Sequence, residues 1–116
     1  MSNFFKVTGT SLASTSATTL LTAPAQSSFI LSSVIISNTN SGSTTVDINF
    51  VDSSTGSTYN IATDLSIGAK TKVELLSNSF VLEEGDSITA APSAGGRIDI
   101  VISYLLRADL ILAMTT

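Results

Sequence analysis

Histidine, cysteine and tryptophan do not occur in this chain, and only five residues carry positive charge against nine that carry negative charge. Each gap removes a class of function. Without histidine there is no Ser–His pairing, and the commonest general base and the commonest metal ligand are missing together. Without cysteine there is no disulfide framework, thiolate zinc site or thiol nucleophile, and the redox compartment stays open. The basic residues Lys6, Lys70, Lys72, Arg97 and Arg107 are scattered. They form no stripe that would release counterions from phosphates, so nucleic acid is not an expected partner. The longest purely apolar run, Leu110 to Met114, falls far below the roughly 20 residues needed to cross a bilayer, and no membrane partner is expected either. The opening Met1-Ser2-Asn3-Phe4-Phe5-Lys6 lacks a cationic stretch followed by an apolar one, which argues against a secretory signal and for synthesis in the cytoplasm.

The chain has 116 residues, enough for one domain, with 43% hydrophobic and 12% charged residues and a net charge of -4. The charged share is about half of the roughly 25% of an ordinary soluble domain. Serine and threonine, about a third of the chain, supply the polarity instead. A neutral, hydroxyl-rich surface repels its own copies weakly and suits a subunit packed against neighbours.

Helical spacing of apolar residues is almost missing, whereas strand patterns recur. In Thr44 to Asp52 the residues Val46, Ile48 and Phe50 fall on one face, with Asp47 and Asn49 on the other. Arg97 to Leu105 repeats the pattern with Ile98, Ile100, Ile102 and Tyr104 inward. Phe29 to Ile36 is apolar except at Ser32 and Ser33, which predicts a central strand covered on both faces. Shorter strands are expected at Phe4–Thr8, Thr18–Thr22, Thr58–Thr63, Thr71–Leu76, Phe80–Leu82 and Ser87–Ala91. Turn residues separate them at 38–42, 53–56, 67–69, 83–86 and 92–96. Short strands at this spacing, without helices between them, predict an all-β antiparallel sandwich of jelly-roll or immunoglobulin-like type over residues 1–107. Ser11 to Gln26 reads either as a loosely held strand and loop or as an extended arm. Residues 108–116 form an apolar tail.

The residues that carry chemistry are few. Gly42 and Gly95-Gly96 lack the strand–loop–helix context of a phosphate loop and read as turns. Glu83, Glu84 and Asp86 around Gly85 read as a solvated turn, with a weak cation site as the alternative. Asp47, Asn49 and Asp52 resemble a calcium loop only in composition, since they lie in a strand. Phe29, Phe50 and Phe80 sit among aliphatics and read as core, while Tyr59 and Tyr104 are candidates for exposure. No catalytic residue, metal site or cofactor is expected. The candidate partner-binding residues are Phe4 and Phe5 near the start of the chain and Leu110, Ile111, Leu112 and Met114 in the tail.

The stretch from Val34 to Leu106 resembles small structural proteins of tailed bacteriophages. The resemblance runs through Ser37-Asn38-Thr39, Thr45-Val46-Asp47-Ile48, Lys72-Val73-Glu74-Leu75, Phe80 to Ala90 and the aliphatic strand Ile98 to Leu105. Within it, Leu82 and Ile88 are expected in the core with Gly85 turning between them. The resemblance implies a virion part, made in the host cytoplasm and present in many copies. The leading expectation is a head decoration or cement protein that binds neighbouring capsomers of the major capsid protein and stabilises the head. A tail, neck, baseplate or fibre component is the alternative, with a receptor- or carbohydrate-binding module behind it and an enzyme last.

Overall fold

The computed structural model describes residues 2–93 and 97–108, with side chains from residue 4 onward. Nine strands carry the fold, and no helix occurs among the described residues. They are β1 (Ser2–Leu12), β2 (Thr18–Thr22), β3 (Ser27–Asn38), β4 (Thr44–Asp52), β5 (Ser57–Ile67), β6 (Lys72–Glu74), β7 (Phe80–Leu82), β8 (Ser87–Pro92) and β9 (Ile98–Ala108). Their pairing is nested. β4 turns through residues 53–56 into β5, and outward from that tip β3 pairs with β6 and β7, β2 with β8, and β1 with β9, all antiparallel. The chain is one long hairpin, rolled up so that β3 also meets β9 and β4 also meets β8.

Two sheets result. Sheet A runs β1-β9-β3 and then β6 and β7 end to end along the same edge of β3, and sheet B runs β2-β8-β4-β5. The strands β1 to β4 alternate between the sheets, which is jelly-roll connectivity and not the sequential pairing of an immunoglobulin domain. The inner faces of β4 and β9 are the expected ones: Val46, Ile48, Ile98, Ile100 and Ile102 are fully buried. Leu31, Val34 and Ile36 from β3 and Ile88 and Ala90 from β8 join the same core. Leu82 and Ile88 are buried on either side of Gly85, whose φ of 83° only glycine adopts without strain.

β3 is central, as its composition predicts, but it is not covered on both faces. Its burial alternates, with Phe29, Leu31, Val34, Ile36 and Asn38 inward and Ile30, Ser33, Ile35 and Ser37 partly open. The apolar run misleads because Ile30 and Ile35, on the outer side of the pleat, are apolar as well; a bulge at Ser32 adds one residue between Leu31 and Ser33 and reverses the phase of the alternation. Odd-numbered residues point inward before the bulge and even-numbered ones after it. The Ser32 hydroxyl donates to the Ser103 carbonyl (3.1 Å) and satisfies the disturbed ladder.

Ser11 to Gln26 belongs to the body of the sandwich, since Leu12, Leu20 and Ala23 are buried in the core and β2 pairs with β8. The β1 strand runs four residues past its expected end at Thr8, and β9 continues three residues past Leu105, to Ala108. Gly95 and Gly96 lie outside the described residues, as does Ala94.

Two buried polar side chains tie the loops down. The Asn38 amide nitrogen donates to the carbonyls of Gly42 (2.9 Å) and Ile67 (3.1 Å), and its oxygen accepts from the Asn40 N–H (2.9 Å). Asp86, 3% exposed, accepts from the Ser53 N–H (3.0 Å), the Ser53 hydroxyl (3.2 Å) and the Glu83 N–H (3.0 Å). The sequence read Glu83, Glu84 and Asp86 as one solvated turn. Glu83 and Glu84 are exposed, but Asp86 turns inward because the tip of the β4–β5 hairpin offers it donors that water would otherwise supply.

Candidate interaction surface

The outer face of an antiparallel sandwich is ordinarily polar. On sheet A it is not. Phe5 of β1 stands opposite Leu105 of β9, Leu105 opposite Ile30 of β3, and Ile30 opposite Val81 of β7. These four side chains form one apolar row across the full width of the sheet. Phe5 is 91% exposed and Val81 51%, while Leu105 and Ile30 are half-buried between them. Further along, Gly9, Val101 and Ile35 form a second row that ends at Glu74. Between the rows Val7, 66% exposed, leads to Ser103 and Ser33. A shallow groove of ≈ 340 Å³ lies here, lined by Phe5, Lys6, Val7, Ser32, Ser103 and Tyr104.

Of the partner-binding candidates named from sequence, Phe5 therefore belongs to this face. Phe4 points to the inner side at the same end of β1, in register with Leu106, and remains half-exposed (51%) at the rim. Leu110, Ile111, Leu112 and Met114 lie outside the described residues. The chain approaches them through Ala108, which is in register with both Ser2 and Ser27. Ile30, Val81, Val101 and Leu105 were missed: the apolar residues on both sides of the β3 pleat read as a buried strand, and the outward apolar residues of β7 and β9 gain meaning only when the strand pairing aligns them in rows.

The edges of the sheets differ. β6 and β7 are three residues each, and β6 carries Lys72 and Glu74. Burial opposes the charge on Glu74, yet hydrogen bonds from the Ser33 hydroxyl, the Val34 N–H and the Leu76 N–H, with Lys72 nearby, hold its carboxyl below the usual carboxylate range. Short, charged strands are how natural sheets close an edge. β5 is irregular, with register shifts against β4 and Asp64 at a φ of 52°, its N–H bound by the Asp47 carboxylate (2.7 Å). β1 has no such device beyond Lys6: eleven residues, regular against β9 throughout, form the outermost strand of sheet A. At its far end the Ser11 hydroxyl donates to Asp99 (2.6 Å), which also pairs with Arg97 (2.9 Å). The Arg97 hydrogen bond and then that of Ser11 hold the Asp99 carboxyl below its ordinary value.

The aromatic side chains leave no binding platform inside the body. Phe29 is buried and packs on Tyr104 (centroids 4.6 Å apart), and the half-buried Phe50 meets Phe80 edge-on (5.5 Å). Tyr59 is exposed as expected and lies over Phe50, whereas Tyr104 is partly covered. Among the described residues no three acidic side chains gather where they would hold a metal ion.

No protein-family model matches the chain, and no curated protein sequence matches it. A solved structure does. It comes from the work titled "Bacillus endospore appendages form a novel family of disulfide-linked pili", with a TM-score of 0.55 and 13% sequence identity over 92% of this chain and 89% of that one. At that identity the likeness is one of fold. The two differ in chemistry as well, since this chain has no cysteine with which to form a disulfide link.

Proposed function

We propose that this chain is a structural subunit of a multi-copy protein assembly, and that it docks through the apolar outer face of sheet A. The observation that carries the reading is the row Phe5, Leu105, Ile30 and Val81, four apolar side chains presented to solvent by four different strands. Fully burying an exposed side chain of this size contributes about 1.5–3 kcal/mol, so a partner that covers the row, two of whose members are already half-buried, gains several kcal/mol toward the cost of association. The sparse charge leaves little electrostatic repulsion between copies.

Within that class the reading is a bacteriophage head decoration protein. It would be made in the host cytoplasm, carried on the virion, and laid across neighbouring capsomers, where it reinforces the shell without catalysis or cofactor. The resemblance of Val34 to Leu106 to small phage structural proteins supports it. The apolar tail, Leu110 to Met114, follows from Ala108 at the Phe5 end of the row and serves as a second contact to the capsid. The fold likeness to a pilus-study subunit favours a second reading, a filament or tail component whose copies bind one another.

The mass of the purified chain, full-length and truncated after Arg107, with and without expanded capsids, separates the two. Many copies bound per capsid, with weaker binding after truncation, is the expected result. Open-ended self-association without capsid binding replaces it with the filament reading.

A further inference from the structure

From the outer edge of β1, which no other described strand pairs with, we infer that a second copy of this chain pairs with it, β1 against β1 about a two-fold axis through Val7, to make one continuous ten-stranded sheet. This goes beyond the docking of the outer face and does not depend on it.

The inference starts from symmetry. When a strand pairs antiparallel with its own copy, hydrogen-bonded and non-bonded pairs alternate, so the axis passes between one residue and its own image. Three centres near the middle of β1 are open: Lys6, Val7 and Thr8. A centre at Lys6 sets two like charges directly opposite each other, which is destabilising. A centre at Thr8 leaves Ser2 and Asn3 without partners. Val7 is the midpoint of Ser2–Leu12, so this register alone pairs all eleven residues and places Lys6 opposite Thr8 of the copy. It completes about ten inter-strand hydrogen bonds on an edge that no described strand pairs.

Side chains agree with the same register. Phe5, the most exposed large apolar residue described, falls opposite Gly9 of the copy on the outer face. A Cβ built on Gly9 meets no atom within 4 Å, so the space above that backbone is open. An aromatic ring lying over a cross-strand glycine shields its backbone and fills the missing side-chain volume. The two-fold axis repeats this contact on both sides of the Val7 pair. The apolar rows also join: Val81, Ile30, Leu105 and Phe5 of one copy continue through Gly9, Val101 and Ile35 of the other.

The native chain lacks cysteine, so a single introduced thiol reports only its own image. Directly opposed residues have Cα atoms about 4.5–5.5 Å apart, inside the range a disulfide bridges. Under mild oxidation the full-length Val7→Cys variant is expected to give a covalent dimer, and Thr10→Cys, about 20 Å from its image in this register, none. In sedimentation the unmodified chain is expected at twice its 12.0 kDa mass. Gly9→Lys, which has room in the folded monomer, is expected to weaken the dimer at least tenfold with an unchanged circular dichroism spectrum. Truncation after Arg107 is expected to leave the dimer intact. A chain that stays monomeric up to about 1 mM, the weak end of specific association, overturns the inference. So does a dimer that survives Gly9→Lys, one that crosslinks at residue 10 and not at residue 7, or one lost with the tail. None of these results bears on capsid binding by a monomer.

Discussion

Replacing Asp86 by alanine tests how the tip of the nested hairpin is tied to the turn between β7 and β8. The carboxylate accepts three hydrogen bonds, two of them from the backbone N–H groups of Ser53 and Glu83. The backbone around it is bound as well, with the Ala23 N–H donating to the Asp86 carbonyl (3.0 Å) and the Gly85 N–H to the Ala23 carbonyl (2.9 Å). Removing the side chain strips an acceptor from two N–H groups and one hydroxyl while leaving the β-turn in place. An unsatisfied buried donor costs about 1–3 kcal/mol. Ser53 and Glu83 are themselves exposed, so water recovers part of that. The net loss is about 2–4 kcal/mol, a large share of the roughly 5–15 kcal/mol that holds a domain folded. In urea unfolding the midpoint is expected to fall with an unchanged slope, since the surface exposed on unfolding is the same. Asp86→Asn, which keeps one oxygen but turns an amide donor toward one of the N–H groups, is expected to fall between the two. If Asp86→Ala stays within about 0.5 kcal/mol of the native chain, the range of ordinary surface substitutions, Asp86 is not the clamp described here.

Gly85→Ala is expected to destabilise by more than the roughly 1 kcal/mol of an ordinary glycine replacement, because φ is 83° and the new Cβ would stand 2.6 Å from the Ser53 hydroxyl; Gly42→Ala, with nothing near its Cβ, is the control in the same melting experiment. Deleting Ser32 removes the bulge and forces either Phe29 and Leu31 or Val34 and Ile36 out of the core, so the expected product is insoluble or unfolded, while Ser32→Ala keeps the phase and melts within a few degrees of the native chain; a folded, soluble deletion would show that the bulge does not set the phase. Glu74 and Asp99 both have folded-state pKa values below their ordinary 4.5 and 3.8, so the unfolded chain binds protons first as pH falls. Their contribution is complete above about pH 5 and is lost as pH drops through the lower folded values, and Glu74→Gln is expected to flatten that acid limb of the melting temperature without changing its slope above pH 5.

What the sequence made legible follows from how regular each strand is. β4 and β9 alternate cleanly, and their inner residues were placed correctly. β3 hid its alternation because Ile30 and Ile35 on its outer side are as apolar as the residues it buries, and the phase reversal at Ser32 shows only in the register against β9. β1 was expected to stop at Thr8, with the Ser- and Thr-rich segment from Ser11 read as loosely held or an arm, yet pairing with β9 carries the strand through Leu12. The same gap hid the interaction surface. Phe5 stood out as an unusual residue, but Ile30 looked covered, and neither Val81 nor Leu105 drew notice until the pairing set the four side by side on the outside. Asp86 was hidden for a related reason, since its donors on Ser53 lie 33 residues away in the chain.

The central claim, that the outer face of sheet A is the assembly surface, is tested most directly by cosedimenting the chain with expanded capsids in native form and as Val81→Lys. Val81 is exposed, lies on the split edge opposite β1, and takes no part in the core. Losing one buried valine contact of about 1.5 kcal/mol, with a charge in its place, predicts capsid affinity at least tenfold weaker while the fold and any β1 dimer are unchanged. Equal loading of native and Val81→Lys chains would contradict it, and so would no loading of either together with self-association that Val81→Lys leaves unchanged.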